Sequence, residues 1–99
     1  MNTGVGIIKL HIPESQSLKD KRQVLKSVVA KLKNRFNISI AEVDDNDLWQ
    51  VAMLGISCVS NNDKVVDETF TKIINFIENN YPELEIVNQE IEIIHGPSL

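Results

Sequence analysis

Apolar and polar positions follow two rhythms along this chain. Val5 to Ile12, VGIIKLHI, is apolar in both phases of a strand except at Lys9 and His11. Such a segment reads as a central strand covered on at least one face, and Pro13 ends it. From Leu18 to Arg35 the rhythm changes. Leu18, Leu25, Val28, Val29, Leu32 and Phe36 share one face at helical spacing, with no proline or glycine between them. Ser17 is placed to cap this helix, its hydroxyl taking the amide of Asp20 while the Asp20 carboxylate reaches back.

Phe36 to Val43, FNISIAEV, alternates and predicts a half-exposed edge strand. Asp44-Asp45-Asn46-Asp47 reads as a turn. Trp49 to Val59, WQVAMLGISCV, is nearly continuous apolar sequence and predicts a second central strand, paired with the preceding one as a hairpin. Asn61-Asn62-Asp63 supplies cap chemistry for a second helix over about Lys64 to Asn80. Its apolar face is Val66, Phe70, Ile73, Ile74 and Ile77. Glu83 to Ile94 is the last strand. Its apolar phase slips between Leu84/Ile86 and Ile91/Ile93, which a bulge near Asn88 reconciles. The tail from His95 to Leu99 is expected to be loose.

The order strand, helix, strand, strand, helix, strand predicts an α+β ferredoxin-like βαββαβ plait. Four antiparallel strands would carry two helices on one face. The first and third strands belong at the centre of that sheet, and they are the two most apolar. If Ala52, Leu54, Ile56 and Cys58 point at the helices, Val51 and Met53 lie on the open face. A second copy of the chain is one cover for that face, so a homodimer is expected there, with Trp49, Val51 and Met53 as its candidate interface.

Ninety-nine residues suit one domain spanning 1–99. A chain of that length buries roughly 60–70% of its extended surface in a single core. No apolar run reaches membrane-spanning length, and the N-terminus lacks the pattern of a secretory signal. A single cysteine, Cys58, forms no internal disulfide. A cytoplasmic location with no membrane partner is the simplest expectation.

Little in the sequence points to catalysis. His11, Cys58 and His95 are scattered without close ligand spacing, so no metal site is expected. The acidic turn lacks the glycine and distal glutamate of a calcium loop. Gly4-Val5-Gly6 precedes a strand, whereas phosphate-binding glycine loops follow one. No nucleophile elbow or triad motif stands out. The chain is expected to be a non-enzyme without a cofactor.

Charge is unevenly placed along the chain. The formal net charge is −4, which alone argues against a polyanion binder. Yet Ser17 to Arg35 holds seven basic residues and one acid, Asp20, while the rest of the chain holds three bases and thirteen acids. On a helical projection with Leu18 at zero, Arg22, Lys33, Lys26 and Lys19 fall at about 40°, 60°, 80° and 100°. They form a stripe flanking the apolar face. Lys31 and Arg35 lie on the other flank. Lys21, at about 300°, falls inside the apolar sector and must project past the sheet or snorkel. Lys19, Lys21, Arg22, Lys26 and Lys33 are the candidate anion or nucleic-acid contacts, with Arg22 able to grip a phosphate bidentately. The alternative is a solvated face paired with Asp67, Glu68 and Glu78 of the second helix. Sheet-face aromatics of an RNA reader are absent, so any RNA contact is expected through backbone phosphates.

The run SLKDKRQVLKSVVAKLKNRFNISIAEVDDNDLWQVAMLGISCVS resembles the YlxP (DUF503) family of small bacterial proteins. The likeness begins with a strand ending in LHIPESQSLK and continues through KDKR, KNRFNISIAEV and DLWQ to SCVSN. It covers nearly the whole chain and weakens after about Glu83. The resemblance implies a ferredoxin-like fold. It supplies no catalytic residues, since the family's biochemical function is not established. The family's genes often lie beside those for translation initiation factor two and ribosome-binding factor A. By association, that implies ribosomal RNA or a ribosomal subunit as a partner. The matching positions able to bear function are Ser17, Lys19, Lys21, Arg22, Arg35, Glu42, Asp47, Trp49 and Gln50. Trp49 either serves there or packs against Phe36 or the helix end.

Overall fold

A computed structural model describes residues 1–44 and 47–99. The elements run β1 (Asn2–His11), α1 (Leu18–Arg35), β2 (Ser39–Asp44), β3 (Val51–Ser60), α2 (Asp63–Asn80) and β4 (Glu85–His95). The strands form one antiparallel sheet in the order β2-β3-β1-β4, so the two most apolar strands are central, as the plait requires.

Strand periodicity decides which face is covered. Gly4, Gly6, Ile8 and Leu10 of β1 and Ala52, Leu54, Ile56 and Cys58 of β3 are buried. They meet Leu25, Val28 and Leu32 of α1 and Val66, Phe70, Ile73 and Ile77 of α2 in one core. Gly4 and Gly6 are small for a reason. A Cβ on Gly6 would stand 2.4 Å from Cε1 of Phe70, and one on Gly4 2.4 Å from Cγ1 of Val66. Removing both side chains lets α2 seat its aromatic ring directly on β1.

Two bulges reset the edges. Lys9 pairs with Asn88 but Leu10 pairs with Ile86, leaving Val87 as the extra residue. That one-residue insertion puts Ile86, Ile91 and Ile93 all opposite inward-facing β1 positions, close to where the slip in apolar phase locates it. In β2 the register shifts between Glu42 and Asp44, leaving Val43 as the extra residue. Val43 folds over Gly55, where a Cβ would lie 2.5 Å from its Cγ1.

Several boundaries differ from expectation. β1 starts at Asn2, and β2 starts at Ser39 because Phe36 is drawn into capping α1, its amide donating to the Leu32 carbonyl at 2.9 Å. β3 starts at Val51, leaving Trp49 in the preceding loop. β4 continues to His95, which pairs with Asn2, and the Gly96 amide donates to the Met1 carbonyl at 2.7 Å. The start of the tail is therefore tied down. Of the acidic turn, Asp45 and Asn46 lie outside the described residues. Among the described residues, no helix is long and apolar enough to cross a membrane.

Candidate nucleic-acid interface

Helix α1 begins where its sequence directs. Ser17 has the extended backbone of an N-cap, and its hydroxyl accepts the Asp20 amide at 3.1 Å. The Asp20 carboxylate in turn accepts the Gln16 amide at 3.0 Å. The first bond satisfies an amide that a helix N-terminus otherwise leaves open, and the second ties the preceding loop back onto the first turn. At the far end, Lys33 and Arg35 occupy the last turn, where cations favour the negative pole of the helix.

The structure separates the basic residues of α1 into three groups. Lys31 and Arg35 turn toward α2. The Lys31 ammonium stands 5.4 Å from the Tyr81 ring centroid and the Arg35 guanidinium 5.3 Å from that of Phe76. Both are within cation–π range. Lys19, Arg22, Lys26 and Lys33 occupy the opposite flank and are exposed. None of these four makes an ion pair among the described residues. The acids of α2 do not reach them: Glu68 pairs instead with Lys64 of its own helix, at 4.0 Å. From Lys19 to Lys33 the stripe runs about 21 Å along the helix.

Lys21 is the third group and a correction to the expected contact set. Its side chain is 1% exposed, so it presents no charge to a polyanion. It neither passes the sheet nor snorkels. Its Nζ lies 2.8 Å from Oε2 of Glu42 on β2 and donates to the Leu48 carbonyl at 2.6 Å. Glu42 pairs with inward-facing Leu54, which turns its carboxylate toward the helices. A cation forced into the apolar sector has thereby found a partly buried counter-charge and a carbonyl.

Lys21 also secures the segment just ahead of β3. The Ile12 amide donates to the Gln50 carbonyl at 2.8 Å, and the Gln50 side-chain amide donates to the carbonyls of Pro13 at 3.3 Å and Ser15 at 3.0 Å. Leu48 and Gln50 are thus anchored on either side of Trp49, a residue that is 53% exposed. Packing against Phe36 is overturned, because Phe36 caps the opposite end of α1. The sequence held a signal for this arrangement: a lysine in the apolar sector of α1 and a glutamate on the helix-facing phase of β2. Only the sheet register shows that the two meet.

Val51 and Met53 lie on the uncovered face, opposite His11 and Lys9 of β1. Val5, Val43, Val59 and Ile94 are exposed beside them. The two histidines stand at opposite ends of the β1–β4 ladder. His11 meets Glu85 at 3.2 Å, and His95 meets Asp63 at 2.8 Å. Cys58 packs in the core, and burial pushes its thiol pKa above the ordinary value, against a smaller lowering from a hydrogen bond with the Gly4 backbone.

Strand order, covered face and paired helices define a ferredoxin-like plait carrying a basic outer flank. The chain belongs to the family described as "Protein of unknown function (DUF503)", which matches residues 3–91. It is 36% identical over 74 residues to the uncharacterized protein YlxP of Bacillus subtilis strain 168, across 75% of this chain and 79% of that one. Among solved structures it is similar to the de novo designed protein Foldit4, with a TM-score of 0.55 and 13% identity, over 98% of this chain and all of the other. A dimeric ferredoxin-like protein from an uncultured marine organism superposes with a TM-score of 0.51 and 7% identity, over 99% and 100% of the two chains. At those identities the likeness shows the fold alone.

Proposed function

We propose that this chain is a non-enzymatic binding protein that holds the phosphate backbone of RNA on the outer flank of α1. One observation carries the reading. Lys19, Arg22, Lys26 and Lys33 form an exposed row without ion pairs among the described residues, while the other basic residues of α1 are engaged within the fold. Such a row attracts a polyanion despite an acidic whole, because local field rather than net charge governs encounter. Each phosphate contact releases counterions, so affinity should fall steeply with salt. The genes associated with the family make ribosomal RNA, free or in a ribosomal subunit, the polymer to test first. The test is binding of the purified chain to ribosomal subunits and to a plain structured RNA at low and moderate salt. Absence of binding to both at low salt overturns the reading.

A second reading rests on the open sheet face. Val5, Val43, Val59 and Ile94 are exposed there, and Ile7, Val51 and Met53 are half-buried. A second copy of the chain is the proposed cover. Lys9 shares this face with Glu90 and Glu92, so two copies packed about a two-fold axis could set unlike charges together. The dimeric ferredoxin-like neighbour is compatible with such an assembly. Light scattering across a concentration series tests it, and a chain that stays monomeric at high concentration counts against it.

A further inference from the structure

We infer that Trp49 is a stacking platform for an unpaired base, so that the RNA bound along α1 is single-stranded where it passes the first turns of the helix. This inference rests on the phosphate-binding reading of α1 and adds the form of RNA it takes.

The topology brings the platform and the cations to one end of the molecule. β1 finishes at His11, opposite Val51, where β3 begins. The loop ahead of α1 and the loop ahead of β3 therefore share that end, joined by the bonds from Ile12 and Gln50. Lys21 joins the β3-proximal loop to the first turns of the helix through the Leu48 carbonyl. Lys21 is next in sequence to Arg22 and two residues from Lys19. The contact that secures the loop therefore also sets where Trp49 stands relative to the first cations of the stripe. The flank carrying those cations faces away from α2, since Lys31 and Arg35 hold the α2 side. Helix α1 packs on β2, the edge strand from which the loop departs.

An exposed indole on a well-anchored backbone needs an explanation. Tryptophan is highly buried on average, and a mobile loop could fold it inward. Here Leu48 and Gln50 are both tied to other segments, and Trp49 between them is left exposed. Anchoring of this kind removes much of the ordering penalty of binding. Stacking suits every base, because each has a π-face, and it combines with cations that track the backbone. In an A-form duplex the bases are already stacked and paired, so an isolated indole gains nothing from them. Asp47, two residues ahead of Trp49, is exposed and repels phosphates, which favours a backbone path along Lys19 and Arg22 on the helix side.

Trp49 is the one tryptophan in the chain, so its emission reports on this position alone. The full chain would be titrated with a short unstructured RNA of adenines and cytosines and with an RNA duplex of equal length. We expect quenching of Trp49 by the single strand, and about tenfold tighter binding of it than of the duplex. Trp49→Ala should remove that preference and leave duplex binding unchanged, and Trp49→Phe should restore part of it. Equal binding of both RNAs, unaltered in Trp49→Ala, overturns the stacking inference while the α1 reading stands. No binding of either RNA at low salt overturns both. Trp49 emission that shifts with protein concentration alone, but not with RNA, overturns the inference in favour of an interface between copies.

Discussion

The Nζ of Lys21 and Oε2 of Glu42 lie 2.8 Å apart, with 1% of the lysine side chain and 26% of the glutamate exposed. This pair bridges α1 and β2 on the covered side of the sheet. Breaking one side strands the other charge. Lys21→Met should destabilise the chain by about 2–4 kcal/mol, below the largest losses for buried pairs because Glu42 retains some solvent. Lys21→Met combined with Glu42→Leu should recover most of that loss, since well-packed apolar replacements of an ion pair are often neutral. Urea unfolding of the four proteins in the cycle measures the coupling, and strictly additive losses would contradict it.

Gly6 and Phe70 provide a test of the core. Gly6→Ala places a Cβ 2.4 Å from the Phe70 ring, so the ring or β1 must shift. Overpacking of this kind costs about 1–3 kcal/mol. The melting temperature should fall by roughly 4–8 °C for each kcal/mol lost. Pairing Gly6→Ala with Phe70→Leu should relieve part of the loss, and an unchanged melting temperature in Gly6→Ala would refute the close approach.

Cys58 gives a pH prediction. Burial raises its thiol pKa above the ordinary 9.0, so the folded chain holds the proton more tightly than the unfolded chain. That contribution to stability is fully present below the ordinary value and is lost as pH rises through the raised one. Stability should therefore decline more steeply above pH 9.0 in the natural sequence than in Cys58→Ala. Parallel slopes in urea midpoints would contradict this. Alkylation of Cys58 at neutral pH should also be slow until the chain unfolds.

The open face has its own test. If two copies meet there, Met53→Asp places a charge within an apolar contact and should convert dimer to monomer without unfolding. Light scattering with far-ultraviolet circular dichroism reads both. A dimer that survives Met53→Asp would move the interface elsewhere.

The fold was legible because periodicity and topology agree. Ile8 and Leu10 in β1, and Leu54 and Ile56 in β3, mark the central strands, and the slip between Ile86 and Ile91 marks a bulge. The Ser17 cap was legible too, because its chemistry spans only four residues. Lys21 was harder. Its place in the apolar sector shows in the sequence, but its fate depends on Glu42, twenty-one positions away and turned inward only by the sheet register. Trp49 was ambiguous for a similar reason. Nothing local distinguishes an indole leading into a strand from one held in a loop, and the bonds that hold this one come from Pro13, Ser15 and Lys21. The basic stripe was legible as a projection. That its residues stay exposed while Lys31 and Arg35 settle on aromatic rings required the position of α2.

Phosphate binding along α1 is tested most directly by the salt dependence of RNA binding by the natural chain and by the triple variant Lys19→Ala, Arg22→Ala, Lys26→Ala. All three residues are exposed, so the variant should fold. The triple variant should bind more weakly, with the slope of log affinity against log salt reduced by about one unit for each lost phosphate contact. A folded triple variant with unchanged affinity and slope would contradict it.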